Sequence, residues 1–270
     1  MELFPDGLDT GAIGVIAIAA VLVVAWLATV VARRRREAAM GAHATSQGWR
    51  PVEQTEEFGR LVANVFPELP EEAEQEARSA RRRGGHRQGL MGSTIVIGGS
   101  GKTRSRTEAR NVYLVPVEDG ELAAGDLTIK ASAGGVGQSR SNVHRGAVAV
   151  ALPERLPEVK LVSRSRLDRE SDPSMPDEVG SQFTAKDLGS EARAVYVESE
   201  AWRPLLDDTA DVEGVAVQDS TLVLVSRKRL TPERTAALAQ AATTFVAQAV
   251  GADGEPGTAR ARVASPLPAG

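Results

Sequence analysis

The segment Ala12 to Ala32, AIGVIAIAAVLVVAWLATVVA, constrains this chain more than any other. Its 21 residues carry no charge, and Thr29 is its one distinctly polar side chain. At about 1.5 Å of rise per residue a helix of that length covers roughly 30 Å, the thickness of a bilayer's hydrocarbon. Lipid offers no partner to a backbone N–H or C=O, and a helix satisfies its own. Core helices of soluble proteins are rarely so long and so apolar. A cleaved signal peptide needs a basic region ahead of its apolar run, whereas the residues ahead of this one carry Glu2, Asp6 and Asp9. The basic residues follow it instead, as Arg33, Arg34, Arg35 and Arg36. Positive charge beside a span stays on the cytoplasmic side. The expectation is a single-pass membrane protein with residues 1–11 outside, a transmembrane helix over residues 12–32 and a cytoplasmic body. The lipid bilayer is then the first partner, and the four arginines suit anionic headgroups, as stop-transfer flanks do in general.

The body contains no cysteine, which excludes disulfides, thiolate nucleophiles and Cys-ligated zinc or iron–sulfur centres. Lys and Arg number 32 against 36 Asp and Glu. With the three N-terminal acids set aside the remainder is close to neutral, so the charge of a nucleic-acid-binding protein is missing and no such partner is expected. Aromatic residues make up only 4%, so the core must come from Val, Leu, Ile and Ala.

Residues 33–92 read as the basic flank, helices and a charged linker. The helix continues through Glu37 to Gly48 and ends at Trp49-Arg50-Pro51, because the residue before a proline disfavours helical backbone. An amphipathic helix follows over Glu53 to Val65, with Phe58, Leu61, Val62 and Val65 on one side. Phe66 to Pro70 breaks it, and Glu71 to Ala80 is a polar helix. Charge then switches from five acids in residues 68–76 to nine bases in residues 78–110. Within that basic stretch Arg81, Arg82, Arg83, Arg87, Lys102, Arg104 and Arg106 are candidates for contact with an anionic surface. The plainer alternative is a solvated linker whose two halves neutralise each other.

Residues 93–250 read as an α+β domain. Short β-branched runs bounded by Gly, Pro or Asp predict strands at Ser93–Ile97, Asn111–Val117, Asp126–Ala131, Val143–Leu152, Val159–Ser163, Ala194–Glu198, Val212–Val217 and Thr221–Ser226. The last two are joined by a hairpin turn. A short helix is expected at Glu200–Asp208. The closing helix has Thr231 as N-cap, Pro232 at its first position and Glu233 at its positive end. Leu238, Ala241, Ala242, Phe245 and Ala249 form its apolar face, and Gly251 ends it. The fold expected is an antiparallel, strand-rich domain closed by a C-terminal helix. Residues 251–270, poor in large apolar side chains, are expected to form a disordered tail.

Several motifs approach a catalytic or ligand site and fall short. Ile97 to Thr103, IGGSGKT, resembles a phosphate loop, but Val96 stands where the first glycine belongs and no apolar helix follows. A looser anion nest would use Gly99, Gly101 and Lys102. None of His43, His86 and His144 has a second histidine at helical spacing, so no metal site is expected. Asp168, Glu170, Asp172, Asp177 and Glu178 lack calcium-loop spacing. Gly98 to Gly101 misses the spacing of a nucleophile elbow. No catalytic residue and no cofactor is expected.

Leu152 to Val162, LPERLPEVKLV, resembles an LPxxLPxLxV signature of uncharacterised, single-span actinobacterial membrane proteins. In that family a span and basic flank precede a Gly-Trp pair, matched here by Gly48-Trp49. A D.ESE.FN..F phrase follows the signature, and Asp177 to Phe183 matches it in part, without the second Glu and the Asn. The resemblance implies the same topology and domain plan, and it implies no activity. Together these features point to a membrane-anchored, non-enzymatic binding or scaffold domain with a protein partner still to be identified. The alternatives are an enzyme whose residues come from separate strands and a module that contacts anionic lipid.

Overall fold

In the computed structural model, which describes residues 10–69, 104–118, 120–133, 139–152, 156–163, 175–186, 188–253 and 266–267, the chain divides into two units, Met1–Ser46 and Gln47–Gly270. The described residues of the first form one helix, α1, over Thr10–Ser46. Its 37 residues contain a stretch long and apolar enough to cross a membrane. Val15, Ile16, Ile18, Val21, Leu22, Val24 and Trp26 are each more than half exposed, which a core helix of a soluble protein would not tolerate. The hydroxyl of Thr29 donates to the carbonyl of Trp26 at 2.7 Å, so the polar side chain of the apolar stretch is satisfied within the helix. Arg33 pairs with Glu37 at 2.8 Å, one turn on. The helix stops earlier than Pro51 requires. Gly48 has φ +70°, a left-handed conformation that ends helices at low cost for glycine.

The second unit is an eight-stranded antiparallel sheet in the order β1-β2-β3-β4-β8-β7-β5-β6. The strands are β1 Arg50–Pro51, β2 Arg104–Val117, β3 Gly120–Ala133, β4 Ser139–Ala151, β5 Val159–Ser163, β6 Phe183–Lys186, β7 Val212–Gln218 and β8 Thr221–Ser226. Around them lie α2 at Thr55–Val65, α3 at Asp177–Gly180, α4 at Ser190–Arg193 and α5 at Pro232–Asp253. The α+β class expected from the sequence is the class observed. The β7–β8 hairpin turns through Asp219 and Ser220, both at positive φ (48° and 59°), the geometry of a two-residue turn that follows the twist of its strands.

Each face of the sheet has its own cover. On one face Phe58, Val62, Val65 and Phe66 pack with Ala109, Leu127, Ile129, Val143, Ala147, Ala216 and Val225. The rings sit close because the floor beneath them is small. A Cβ at Gly214 would lie 2.7 Å from the Phe66 ring, and one at Gly125 would lie 2.8 Å from Val112 and 3.1 Å from Phe58. The other face is covered by α5, whose Leu238, Ala242, Phe245 and Ala249 are fully buried. The cap proposed for this helix is present: Arg234 N–H donates to Thr231 Oγ1 at 3.2 Å.

The structure corrects four expectations. Ala194–Glu198 is helical, continuing α4 as a π-turn. Ala192, Val195 and Tyr196 are buried, a helical spacing. Tyr196 stacks on Phe245 at 5.3 Å and donates its hydroxyl to the carbonyl of Pro157 at 2.6 Å. Tertiary packing has outweighed the β-propensity of AVYVE. Gly251 does not end the last helix, which runs on to Asp253. Leu267, in a tail expected to pack against nothing, is buried in the α2-side core. The strands β2, β3 and β4 start or end well beyond the segments expected from β-branched residues, and β6 was not expected at all. The predicted helix at Glu71–Ala80, the strand at Ser93–Ile97 and the glycine-rich turn before Lys102 lie outside the described residues.

Candidate functional site

The extra length of β2, β3 and β4 builds a three-stranded arm. Strand β8 pairs with β4 only from Gly146 to Ala151, and β1 covers β2 only at Tyr113 and Leu114. The stretches at 104–110, 126–133 and 139–145 therefore continue past the rest of the sheet. Side chains alternate between faces along each strand, and directly paired residues share a face. One face of the arm carries Ala109, Leu127, Ile129 and Val143 into the core under α2. The opposite face carries three cross-strand rows: Arg106 with Lys130 and Asn142, Glu108 with Thr128 and His144, and Arg110 with Asp126 and Gly146. An antiparallel sheet with one dry and one wet face is the natural outcome of that alternation.

Charge on the wet face is unbalanced. Glu108 sits at the centre. Lys130 Nζ approaches both of its carboxylate oxygens, at 2.7 and 2.6 Å. Arg110 Nη2 lies 3.6 Å away and Arg106 Nε 3.8 Å away, beyond hydrogen-bond range but within reach of its charge. The pKa of Glu108 is held below its ordinary value chiefly by the hydrogen bond from Lys130; partial burial opposes this, and the charges of Lys130, Arg106 and Arg110 add to it. The side chains of Arg106, Arg110 and Lys130 are 72, 49 and 45% exposed, against 21% for Glu108. Three cations therefore face solvent around one half-sheltered anion. A groove of about 550 Å³ runs beside them, lined by Thr55, Glu56, Arg60, Arg106, Thr107, Glu108 and Ala109.

Where the arm joins the body, the polar groups serve the fold. Asp126 is buried. It accepts from the backbone N–H of Leu230 at 2.9 Å and from Asn111 Nδ2 at 3.2 Å, which fixes the approach to α5 against β3. Asn111, at φ +50°, lies where the β2–β3 register shifts. His144 meets Thr128 Oγ1 through Nδ1 at 3.2 Å and Arg229 Nη2 through Nε2 at 2.6 Å. A guanidinium can only donate, so Nε2 accepts and the proton belongs on Nδ1. Arg145 forms a two-point ion pair with Glu213 and donates to the carbonyl of Arg227. Arg227 in turn reaches Ser163 Oγ, which ties the ends of β4, β5, β7 and β8 together.

The residues singled out from sequence fare unequally. Arg33, Arg34, Arg35 and Arg36 follow the apolar run on α1. Arg81, Arg82, Arg83, Arg87 and Lys102 lie outside the described residues. Arg104 is on β2, paired with Ser132. Arg106 stands on the cationic face. Arg110, its neighbour there, closes the basic stretch read from the sequence, while Lys130 was not among the candidates. The alternation Arg104-x-Arg106-x-Glu108-x-Arg110 places the two arginines on one face once that segment is recognised as a strand, whereas Lys130 joins them only through the β2–β3 register. Asp177 and Glu178 open the short α3. Among the described residues no three His, Asp or Glu groups are arranged to hold a metal ion. No protein-family model, curated protein or solved structure matches the chain.

Proposed function

We propose that this chain is a membrane-anchored binding domain of the cytoplasmic face, without catalytic activity of its own, whose contact surface is the wet face of the β2–β4 arm. The observation that carries the proposal is the gathering of Arg106, Arg110 and Lys130 around a single carboxylate on an exposed sheet face. Helix α1 supplies the anchor, and the arginines at 33–36 orient it by the rule that basic flanks stay inside. The likeness of Leu152–Val162 to the signature of single-span actinobacterial proteins supports the same plan. An anionic partner suits such a face, and the inner leaflet presents anionic headgroups that attract basic residues by about 1 kcal/mol each.

The test uses the full chain in lipid nanodiscs. The absence of native cysteine lets Asn142→Cys, exposed on β4 and paired with Lys130 in the same row, carry a single fluorophore. A headgroup-attached nitroxide then reports contact with the bilayer. Stronger quenching in anionic than in neutral discs is expected, and it should fade as salt rises past physiological strength. Equal quenching in both kinds of disc would overturn the proposal.

A further inference from the structure

We infer that Glu108 is a built-in occupant of an anion seat: Arg106, Arg110 and Lys130 form a site for the phosphate of an anionic lipid headgroup, and the Glu108 carboxylate fills that site in the free protein. The inference deepens the function proposed above and rests on it.

Three features carry it. The first is the mismatch between charge and hydrogen bonding. Glu108 engages Lys130 closely, at 2.6–2.7 Å, while the two guanidiniums stand off at 3.6 and 3.8 Å. One carboxylate cannot satisfy three cations placed about it. A phosphate brings more acceptor oxygens and more charge, and its oxygens suit the fork of a guanidinium. The second feature is rigidity. The three cations project from paired strands whose reverse face is packed through Ala109, Leu127 and Ile129, so their backbone positions are set before anything binds. The third is supply. An anchored domain meets headgroups at an effective concentration that a soluble anion does not match. The plain alternative is a cross-strand Lys–Glu pair on a solvated face, worth little to stability and nothing to binding.

The nanodisc measurement separates the two. Glu108→Gln keeps the shape and a hydrogen-bond acceptor but empties the seat of charge. It should tighten the anionic-lipid contact about fivefold, the effect of one charge near a membrane surface. Glu121→Gln is the control, since it removes the same charge from an exposed pair with Arg50 on the same domain. A smaller gain from Glu121→Gln supports the seat; equal gains from both overturn it and leave a generic field. The double variant Arg106→Gln/Arg110→Gln alters exposed side chains only and tests the seat even if Glu108→Gln folds poorly. It should bring anionic discs down to the neutral level, and unchanged contact would overturn the inference. Inorganic phosphate added to neutral discs should leave the wild-type signal where it is; a shift like that of anionic lipid would overturn the assignment to headgroups. Wild type that fails to distinguish the discs sinks the function itself. Wild type that distinguishes them, with Glu108→Gln and Glu121→Gln alike, sinks only the role of Glu108.

Discussion

Glu108 shows how one side chain can record its surroundings. Its folded-state pKa lies below the ordinary 4.5, first because Lys130 donates a hydrogen bond to it. A carboxylate depressed in this way adds stability at pH values above its unfolded pKa, and the contribution fades as pH falls through the lower, folded one. The wild type should therefore be slightly more stable than Glu108→Gln at neutral pH, by less than about 1 kcal/mol because the pair is near solvent. Urea midpoints of the two proteins should converge as the pH is taken below 4.5. A difference that persists at low pH would show that Lys130 is not what holds the carboxyl. The sequence marks Arg106 by its place in a basic stretch, but Lys130 lies 24 residues away and joins it only through the β2–β3 register. A local pattern cannot supply such a partner.

At the scale of elements, the legible strands were those whose burial and composition agree. Val159–Ser163 and Thr221–Ser226 have the bounds expected, because both are short, β-branched and closed by turns. The arm was hidden for the opposite reason. Its wet face is charged, and among the described side chains its dry face in β2 carries Thr107 and Ala109, so the alternation has little hydrophobic contrast. AVYVE misled because the preference for β structure of Val and Tyr is a preference for a half-buried surface, which a helix against Phe245 also provides. The contact between Phe66 and the sheet shows how tightly such surfaces are matched. Lys160 stands 5.0 Å above the Phe66 ring and bonds both Glu68 and the carbonyl of Val65, each at 2.7 Å. Both this cation and the bare backbone of Gly214 lie against the ring. Gly214→Ala would drive a methyl to 2.7 Å from it. A loss of about 1–3 kcal/mol is expected, read from the urea midpoint. A neutral substitution would mean that the ring can slide.

At the scale of the whole molecule, the apolar helix and the α+β class were both legible, since each rests on long-range composition. The strand order was not, because it depends on which edges meet rather than on any one segment. Orientation in the membrane belongs to this scale and can be measured directly. A Cβ at Gly251 meets nothing within 4 Å, so Gly251→Cys gives an accessible label near the end of α5. In intact cells a membrane-impermeant maleimide should miss it and should react only after lysis. Labelling before lysis would place the domain outside and remove the inner leaflet as its ligand.

The order of strands has a consequence for how the protein is made. Strand β4 has one neighbour, β3, immediately before it in the chain; the other, β8, arrives much later, with Gly146 pairing to Ser226 some 80 residues further on. At roughly 5–20 residues per second that delay is on the order of 4 to 16 s. Throughout it the nascent meander offers the ribosome's surroundings an open strand edge bearing Ala147, Val148, Ala149 and Val150, the kind of template on which chains aggregate. On the anchoring proposed above, α1 would already be in a bilayer, and each unfinished sheet would be confined to its own patch of membrane for those seconds. On that same proposal the anchor would serve as a chaperone by location, holding the growing chain apart from soluble neighbours with which its edge could pair.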